Sequence, residues 1–274
     1  MHDYSLAHLT ALHLSPPELV EAAAAGGYRY VGLRLTQVAA GDPVYPLESD
    51  AALMRETKAR LRHTGVEVLD IELARMDPGT APESLRAFLD AGAELGARHV
   101  IGQLPDPSRE RKIARFAALC DLPRPLAMTV DLEFPSWTET PSLAEAVHVV
   151  REVNRPNAGI LVDLLHFARS RSSVEELAKL PRSWFRFAHV CDAAAEIPAT
   201  REALIHTARA ERLFPGEGGI DVRGILAALP SDIPYALEIP RKTLSALVGE
   251  QECARLALKA GRRHLEDAVL VAAG

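Results

Sequence analysis

The sequence predicts an α/β fold, a single (β/α)8 barrel of parallel strands, and three observations lead to this prediction. Eight short runs of four to eight residues are apolar at nearly consecutive positions, as expected of strands buried on both faces. An amphipathic stretch with helical spacing follows each run, which is typical of parallel strands joined by right-handed crossovers. The segment from Leu6 to Ser15 contains no glycine, whereas an open dinucleotide-binding sheet would need GxGxxG after its first strand. Eight such units within about 250 residues fit a closed barrel better than an open sheet.

The predicted strands are the apolar runs themselves. A strand wetted on one side would alternate polar and apolar residues, and these runs do not. In chain order they are Leu6–Ala11, Tyr30–Leu35, Val66–Leu73, His99–Gly102, Ala127–Phe134, Gly159–Leu165, Phe185–Val190 and Tyr235–Ile239.

Capping signals mark the predicted helices between the strands. Ser15-Pro16-Pro17-Glu18 opens the first helix with a capping serine, prolines in the first turn and an acid at the positive end of the helix dipole. Ser142 and Glu145 form a predicted capping box, and Ser173–Glu176 opens a later helix in the same way. Three glycines are expected to end the first three helices: Gly26, Gly65 and Gly96.

Length and composition describe an ordinary globular chain. Of the 274 residues, 48% are hydrophobic and 25% are charged, and no linker of low complexity divides them, so we expect one domain over residues 1–274. The net charge of −6 argues against a nucleic-acid partner, and the apolar runs are too short to span a membrane. Without a secretory signal or a CxxC pair among the three cysteines, the sequence predicts a cytoplasmic protein.

A barrel of this kind should carry its reactive residues at the carboxyl ends of the strands. Four successive predicted strands end in polar residues, namely Glu133, Asp163 with His166, His189, and Glu238. Any one acid there could simply cap the next helix, but several charged groups inside buried runs are costly unless they are paired or bind a cation. Two glutamates, one aspartate and one histidine form an oxygen-rich ligand set suited to Mn²⁺, Mg²⁺ or Co²⁺, and Zn²⁺ also fits.

The order and context of these residues resemble the sugar phosphate isomerase/epimerase superfamily, also called the xylose isomerase-like TIM barrels. The segments LEFPSWTETPSLAEA, GILVDLLHFARS, RLFPGEGGIDVRGIL and LEIP carry the resemblance, which covers essentially the whole chain. The resemblance implies that one divalent cation, with Mn²⁺ as first choice, is bound by four residues: Glu133, Asp163, His189 and Glu238. It also implies that Glu133 and Glu238 move the proton in a ketose epimerase of this group.

The same resemblance implies a substrate-binding group around the metal. His166 matches a ligand of a substrate oxygen, Glu139 lies where an acid supports that histidine, and Arg212 matches a substrate contact. Trp137, four residues after Glu133, is expected either to form an apolar wall beside a sugar or simply to pack.

Other polar residues near the predicted strand ends are less strongly indicated as members of the site. Arg34 is expected to point to the catalytic face, and Asp70 and Glu72 are expected not to face the interior together, which leaves Glu72 as the candidate of the two. Asp192 is expected to cap a helix or support a ligand. A connection of about 30 residues after His189, longer than usual, is a candidate lid that also carries Arg209, and its PGEGG motif is expected to be a tight turn.

Comparison with the nucleases of the superfamily distinguishes a DNA-repair enzyme from an enzyme that acts on a sugar. The DNA-repair endonucleases add histidines after strands three and four and an Asp-x-His after strand seven, whereas this chain has Glu72 and Gln103 at the first two places and no Asp-x-His between His189 and Glu238. We therefore expect no nucleic-acid partner.

The sequence thus predicts a metal-dependent isomerase or epimerase that acts on a small ketose or keto-polyol, phosphorylated or not, through a metal-stabilised enediolate. Two alternatives remain open at this point. One is a dehydratase (lyase) of inosose or dehydroshikimate type, which would share the enolate, and the other is a barrel that binds a sugar without turning it over. A homodimer or homotetramer is compatible with the sequence, and a terminal helix predicted over Leu244–Val271 is a candidate contact.

Overall fold

Nine parallel strands form a nearly closed barrel in the computed structural model, which describes residues 2–266. The strands are β1 (Tyr4–Ala7), β2 (Tyr30–Arg34), β3 (Glu67–Arg75), β4 (His99–Gln103), β5 (Thr129–Leu132), β6 (Ala158–Ile160), β7 (Val162–Asp163), β8 (Ala188–Val190) and β9 (Tyr235–Leu237). Their order around the barrel is β6-β5-β4-β3-β2-β1-β9-β8-β7, and every neighbouring pair is parallel. The predicted barrel is confirmed.

All eight predicted strands differ from the observed ones by a few residues at their ends, and two of them also differ in structure. The first strand is Tyr4–Ala7, because His8–Ala11 turns into a short 3-10 helix at the rim instead of extending the strand. The predicted strand over Gly159–Leu165 is divided into β6 and β7, which pair with different neighbours, β5 and β8. It also stops at Asp163, because the Asp163 side chain accepts the backbone N–H of His166 and so starts a helix.

Helices follow the strands and cover the outside of the barrel. They are α1 (Pro16–Gly26), α2 (Ala51–Thr64), α3 (Arg86–Glu94), α4 (Arg109–Asp121), α5 (Leu143–Val153), α6 (Leu164–Arg169), α7 (Val174–Leu177), α8 (Arg201–Ala210), α9 (Val222–Ala227), α10 (Lys242–Val248) and α11 (Glu250–Leu265). Among residues 2–266, no helix combines the length and the apolar character needed to cross a bilayer.

The capping signals locate these helices closely. The capping box at Ser15 is present, and the predicted caps Ser142 and Ser173 each accept a backbone N–H of the first turn. Helix α1 ends at Gly26 as predicted, and the next residue, Gly27, caps it in the left-handed conformation. The predicted helix over Leu244–Val271 is interrupted at Gly249, which separates α10 from α11, and positions 267–271 lie outside the described residues.

The barrel interior is filled by side chains, so the barrel is not a pore. Its apolar members are Tyr30, Leu69, Leu73, Ile101, Leu161, Phe187 and Ala236. A larger apolar cluster fills the space between strands and helices. The strands are packed on both faces, and their carboxyl ends carry the polar residues described next.

Candidate metal centre

The structure brings the four candidate ligands to one point. Glu133 directly follows β5, Asp163 ends β7, His189 lies in β8 and Glu238 directly follows β9. All four are buried, and each offers one ligand atom such that these atoms all lie within 4.8 Å of one another. The chain separates these residues widely, but parallel strands end at the same rim of the barrel and so bring them together.

The chemistry of this group fits a divalent cation. Neither ring nitrogen of His189 makes a hydrogen bond with any of the described residues, although the ring is buried and its Nδ1 lies 3.4 Å from Glu238 Oε2 and 3.8 Å from Asp163 Oδ2. Buried polar atoms normally have a hydrogen-bond or ligand partner. Two ring nitrogens without one, beside carboxylates, therefore indicate a site for a cation. Carboxylate oxygens and an imidazole are suitable ligands for Mn²⁺, Mg²⁺, Co²⁺ or Zn²⁺.

Protons stabilise the same group when no cation is bound. Burial, and then repulsion by Glu238 and Asp163, raises the pKa of Glu133 to about 8. Burial alone would lower the pKa of His189, but the Glu238, Glu133 and Asp163 carboxylates raise it to about 10. Burial also opposes ionisation of Glu238, yet Arg212 and His189 hold its pKa well below the usual range. The two glutamates therefore differ in protonation although they share one site.

Arg212 lies against two of the candidate ligands. Its guanidinium is buried and pairs with Asp163 Oδ2 and with Glu238 Oε2, each at 2.7 Å, while its Nε donates to the Ala208 carbonyl at 2.8 Å. The sequence suggested a substrate contact for Arg212, and it does line the cavity above the site. Its main contacts, however, are with the carboxylates, so it neutralises part of their charge.

His166 and Trp137 form one wall of this cavity. The rings meet edge to face with their centroids 4.8 Å apart, and both residues line the cavity. Burial lowers the pKa of His166 to about 4, so the imidazole is neutral at pH 7, and its Nδ1 has no hydrogen-bond partner among the described residues. A neutral ring of this kind can bind a substrate hydroxyl or carbonyl.

Glu139 is not brought to His166, contrary to the role that the sequence suggested for it. Its side chain is exposed, and its backbone carbonyl accepts a hydrogen bond from Lys112 Nζ at 2.8 Å. The neighbouring Thr140 is buried instead and donates to the Leu104 carbonyl at 2.9 Å. This anchor directs the turn so that Glu139 faces away from the cavity.

Several cavity residues were missed or misjudged in the sequence. Gln103 ends β4 and its Nε2 donates to Glu133 Oε2 at 2.5 Å, so it orients one of the candidate ligands. Its place at a strand end beside β5 was the available signal. Asp70 and Glu72 are both buried inside, because side chains two residues apart on a strand point to the same side; the expectation that they could not share the interior was wrong. Glu72 makes two hydrogen bonds with Arg34, at 3.1 and 3.2 Å.

Asp192 anchors the long connection that follows β8. Its Oδ1 accepts the backbone N–H groups of Ala193 and Ile220, at 2.8 and 3.0 Å, and its Oδ2 accepts those of Gly216 and Gly218, at 3.0 and 2.9 Å. The glycine-rich segment is thus a tight turn, as expected, and these N–H groups are already used and not available to a phosphate.

We expect the Asp192→Ala substitution to lower the free energy of unfolding by about 3 kcal/mol or more, since hydrogen bonds to a charged acceptor contribute roughly 1.5–3 kcal/mol each. Urea denaturation measures this loss, with Asp232→Ala, an exposed aspartate, as the control. A loss no larger than that of the control would show that the turn does not depend on Asp192.

Known proteins share this architecture and this part of the sequence. Over 165 residues the chain is 26% identical to the inosose isomerase of Bacillus licheniformis, an alignment that covers 56% of each protein. The chain therefore spans about half the length of the curated relative that it matches.

Solved structures extend the likeness to the whole fold. The IolI protein, solved with a bound zinc atom, superposes with a TM-score of 0.80 at 19% identity, covering 97% of this chain and 99% of that one. The D-allulose 3-epimerase of Methylomonas sp., solved with D-allulose, gives a TM-score of 0.72 at 19% identity, covering 96% and 97%. The probable 3-DHS dehydratase AsbF of Bacillus anthracis gives 0.73 at 18% identity, covering 94% and 97%.

At these identities the superpositions show a common fold and do not separate an isomerase from a dehydratase. The family is shown by a sequence model, described as xylose isomerase-like TIM barrel, which matches residues 20–265. With the barrel and its rim of polar residues on the same stretch, the chain belongs to the xylose isomerase-like TIM barrel family.

Proposed function

We propose that the protein is a divalent-metal-dependent isomerase or epimerase of a small ketose or keto-polyol. The observation that carries this proposal is the buried group of Glu133, Asp163, His189 and Glu238, which combines a ligand set for one cation with two glutamates that can exchange protons with a substrate. The likeness to an inosose isomerase over about half of its length supports the same class of reaction.

These four residues would hold the cation, with Mn²⁺ as the first choice. When bound, the cation supplies a Lewis acid that polarises a carbonyl and makes the neighbouring C–H more acidic. Glu238 would then accept a proton from one face of that carbon, and Glu133, after taking up a proton from solvent, would give one to the other face. Two such groups suit epimerisation, because neither carboxylate has to cross the substrate.

The other residues of the cavity position the substrate. His166 lines the cavity with a neutral imidazole that can bind a substrate oxygen, and Trp137 packs against the edge of that ring and keeps its orientation. Gln103 donates to Glu133 and so leaves one oxygen of that carboxylate to face the reacting carbon. Arg212 pairs with Glu238 and keeps that carboxylate ionised.

Exchange of carbon-bound hydrogen with solvent deuterium tests this proposal. We would incubate the Mn²⁺-loaded protein in D₂O with ketoses and keto-inositols and follow deuterium at carbon by NMR. Exchange together with an isomeric product is the expected result. A product with an enone absorbance would instead identify a dehydratase, and binding without exchange would identify a sugar-binding barrel; either outcome overturns the proposal.

Cation binding should release protons, because the pKa values of Glu133 and His189 lie above 7 in the metal-free site and both must lose their protons to act as ligands. We expect about two protons per Mn²⁺ at pH 7 and about one at pH 9, above the pKa of Glu133 but below that of His189. The affinity for Mn²⁺ should therefore rise with pH across this range. Calorimetry in buffers of different ionisation enthalpy measures the release. A release near zero at pH 7 would contradict this assignment.

A further inference from the structure

Four arginines line the cavity above the candidate metal centre. Three of the arginines that line it have a carboxylate partner: Arg34 with Glu72 at 3.1 Å, Arg75 with Asp77 at 3.1 Å, and Arg212 with Asp163 and Glu238 at 2.7 Å. Arg209 is the fourth. Within residues 2–266, no carboxylate lies within 4.0 Å of its guanidinium, and the side chain makes no hydrogen bond. Among the described residues that line the cavity, Arg209 is therefore the arginine without a carboxylate partner.

The surroundings of Arg209 disfavour its positive charge. The side chain is half-buried, and burial followed by repulsion from Arg34 and Arg75 lowers its pKa, although Asp42 and Glu133 act in the opposite sense. Asp42 does not compensate it directly, because its carboxylate lies 4.0 Å from Arg34 and accepts the N–H of Ala39. An anion bound in the cavity would remove this imbalance.

Arg209 also lies in a suitable place for one end of a substrate. It lies in the last turn of α8, three residues before Arg212, which follows the end of that helix, and both side chains line the cavity. Arg212 is buried against the candidate ligands, whereas Arg209 is more exposed and so lies nearer the mouth of the cavity. A substrate whose carbonyl faces the metal centre would extend its other end toward Arg209.

We propose that Arg209 binds a carboxylate at the distal end of the substrate, so that the protein prefers a keto sugar acid to a neutral ketose. This inference rests on the proposed function for its reaction and adds the class of substrate. A single unmatched guanidinium matches one negative charge, and its planar fork fits both oxygens of a carboxylate. A phosphate dianion would need a second free cation, and Arg34 and Arg75 are already paired.

Three ligands with one carbon skeleton test the proposal. D-fructose, D-fructuronate and D-fructose 6-phosphate differ at one end, which is a hydroxymethyl group, a carboxylate and a phosphate. We expect calorimetry to show the tightest binding for D-fructuronate, with or without Mn²⁺. Arg209→Gln should weaken that binding by about tenfold or more, the size of a charge-assisted hydrogen bond, and leave the binding of D-fructose unchanged. Arg209→Lys should be intermediate, because it keeps the charge but loses the fork.

Arg201→Gln is the matched control, since Arg201 is an exposed arginine in the first turn of the same helix. Equal binding of the three ligands, a preference for the phosphate, or the same loss in both glutamine variants would overturn the proposal. Deuterium exchange is recorded separately. If no ligand exchanges hydrogen but D-fructuronate binding still depends on Arg209, the proposed reaction is wrong and the anion site is supported. If D-fructose exchanges hydrogen and Arg209 has no effect on binding, the reaction is supported and the anion site is wrong.

Discussion

Replacing Glu238 by glutamine is expected to slow product formation by 10²–10⁴-fold, the usual contribution of one general acid or base. Glutamine keeps the shape of the side chain and an oxygen that can act as a ligand, but it cannot accept a proton from carbon. The carboxylate is suited to this role because Arg212 and His189 keep it ionised in a buried site, although burial alone would raise its pKa. Rates of isomer formation, measured with saturating Mn²⁺, give the effect.

The remaining glutamate makes the test sharper. If Glu133 and Glu238 act on opposite faces of one carbon, Glu238→Gln should retain slow deuterium exchange in one epimer only, and Glu133→Gln should retain it in the other. Glu202→Gln, an exposed glutamate in the first turn of α8, serves as the control for unrelated effects. Product formation by Glu238→Gln at the control rate, with the fold intact by circular dichroism, would rule out this carboxylate as the acid or base.

The parts of the fold that depend on near neighbours in the chain could be predicted from the sequence. The capping box at Ser15 involves residues three positions apart, so its signal is local. The division of the sixth predicted strand at Leu161 was missed, because it depends on whether β6 and β7 pair with β5 or with β8. The apolar pattern of Gly159–Leu165 says nothing about the partner.

In the candidate site, too, some residues could be predicted from the local sequence and others could not. Glu133, Asp163, His189 and Glu238 could be found because a charged residue stands out at the end of a buried apolar run. Their neighbours could not be found so easily. The pair of Arg34 and Glu72 joins positions 38 residues apart, and Asp192 accepts hydrogen bonds from a turn 24 to 28 residues further along the chain. Such contacts follow from the closure of the barrel and have no periodic signature.

Removing Arg212 is expected to destabilise the metal-free protein by about 3–5 kcal/mol, the usual cost of breaking a buried ion pair and leaving its partner uncompensated. The Arg212→Ala substitution leaves the Asp163 and Glu238 carboxylates buried without the guanidinium that contacts both at 2.7 Å. Urea denaturation in the presence of a chelator measures this loss. Arg201→Ala, an exposed arginine of the same region, should cost little.

Saturation with Mn²⁺ should reduce the loss caused by Arg212→Ala, because a bound cation provides positive charge to the same two carboxylates. By linkage, the variant should then bind Mn²⁺ more tightly than the unchanged protein, in proportion to the stability that the cation restores. The two measurements must agree, since they describe one thermodynamic cycle. An equal loss of stability with chelator and with Mn²⁺ would mean that the cation and Arg212 do not share the Asp163 and Glu238 carboxylates, and the candidate ligand set would have to be abandoned.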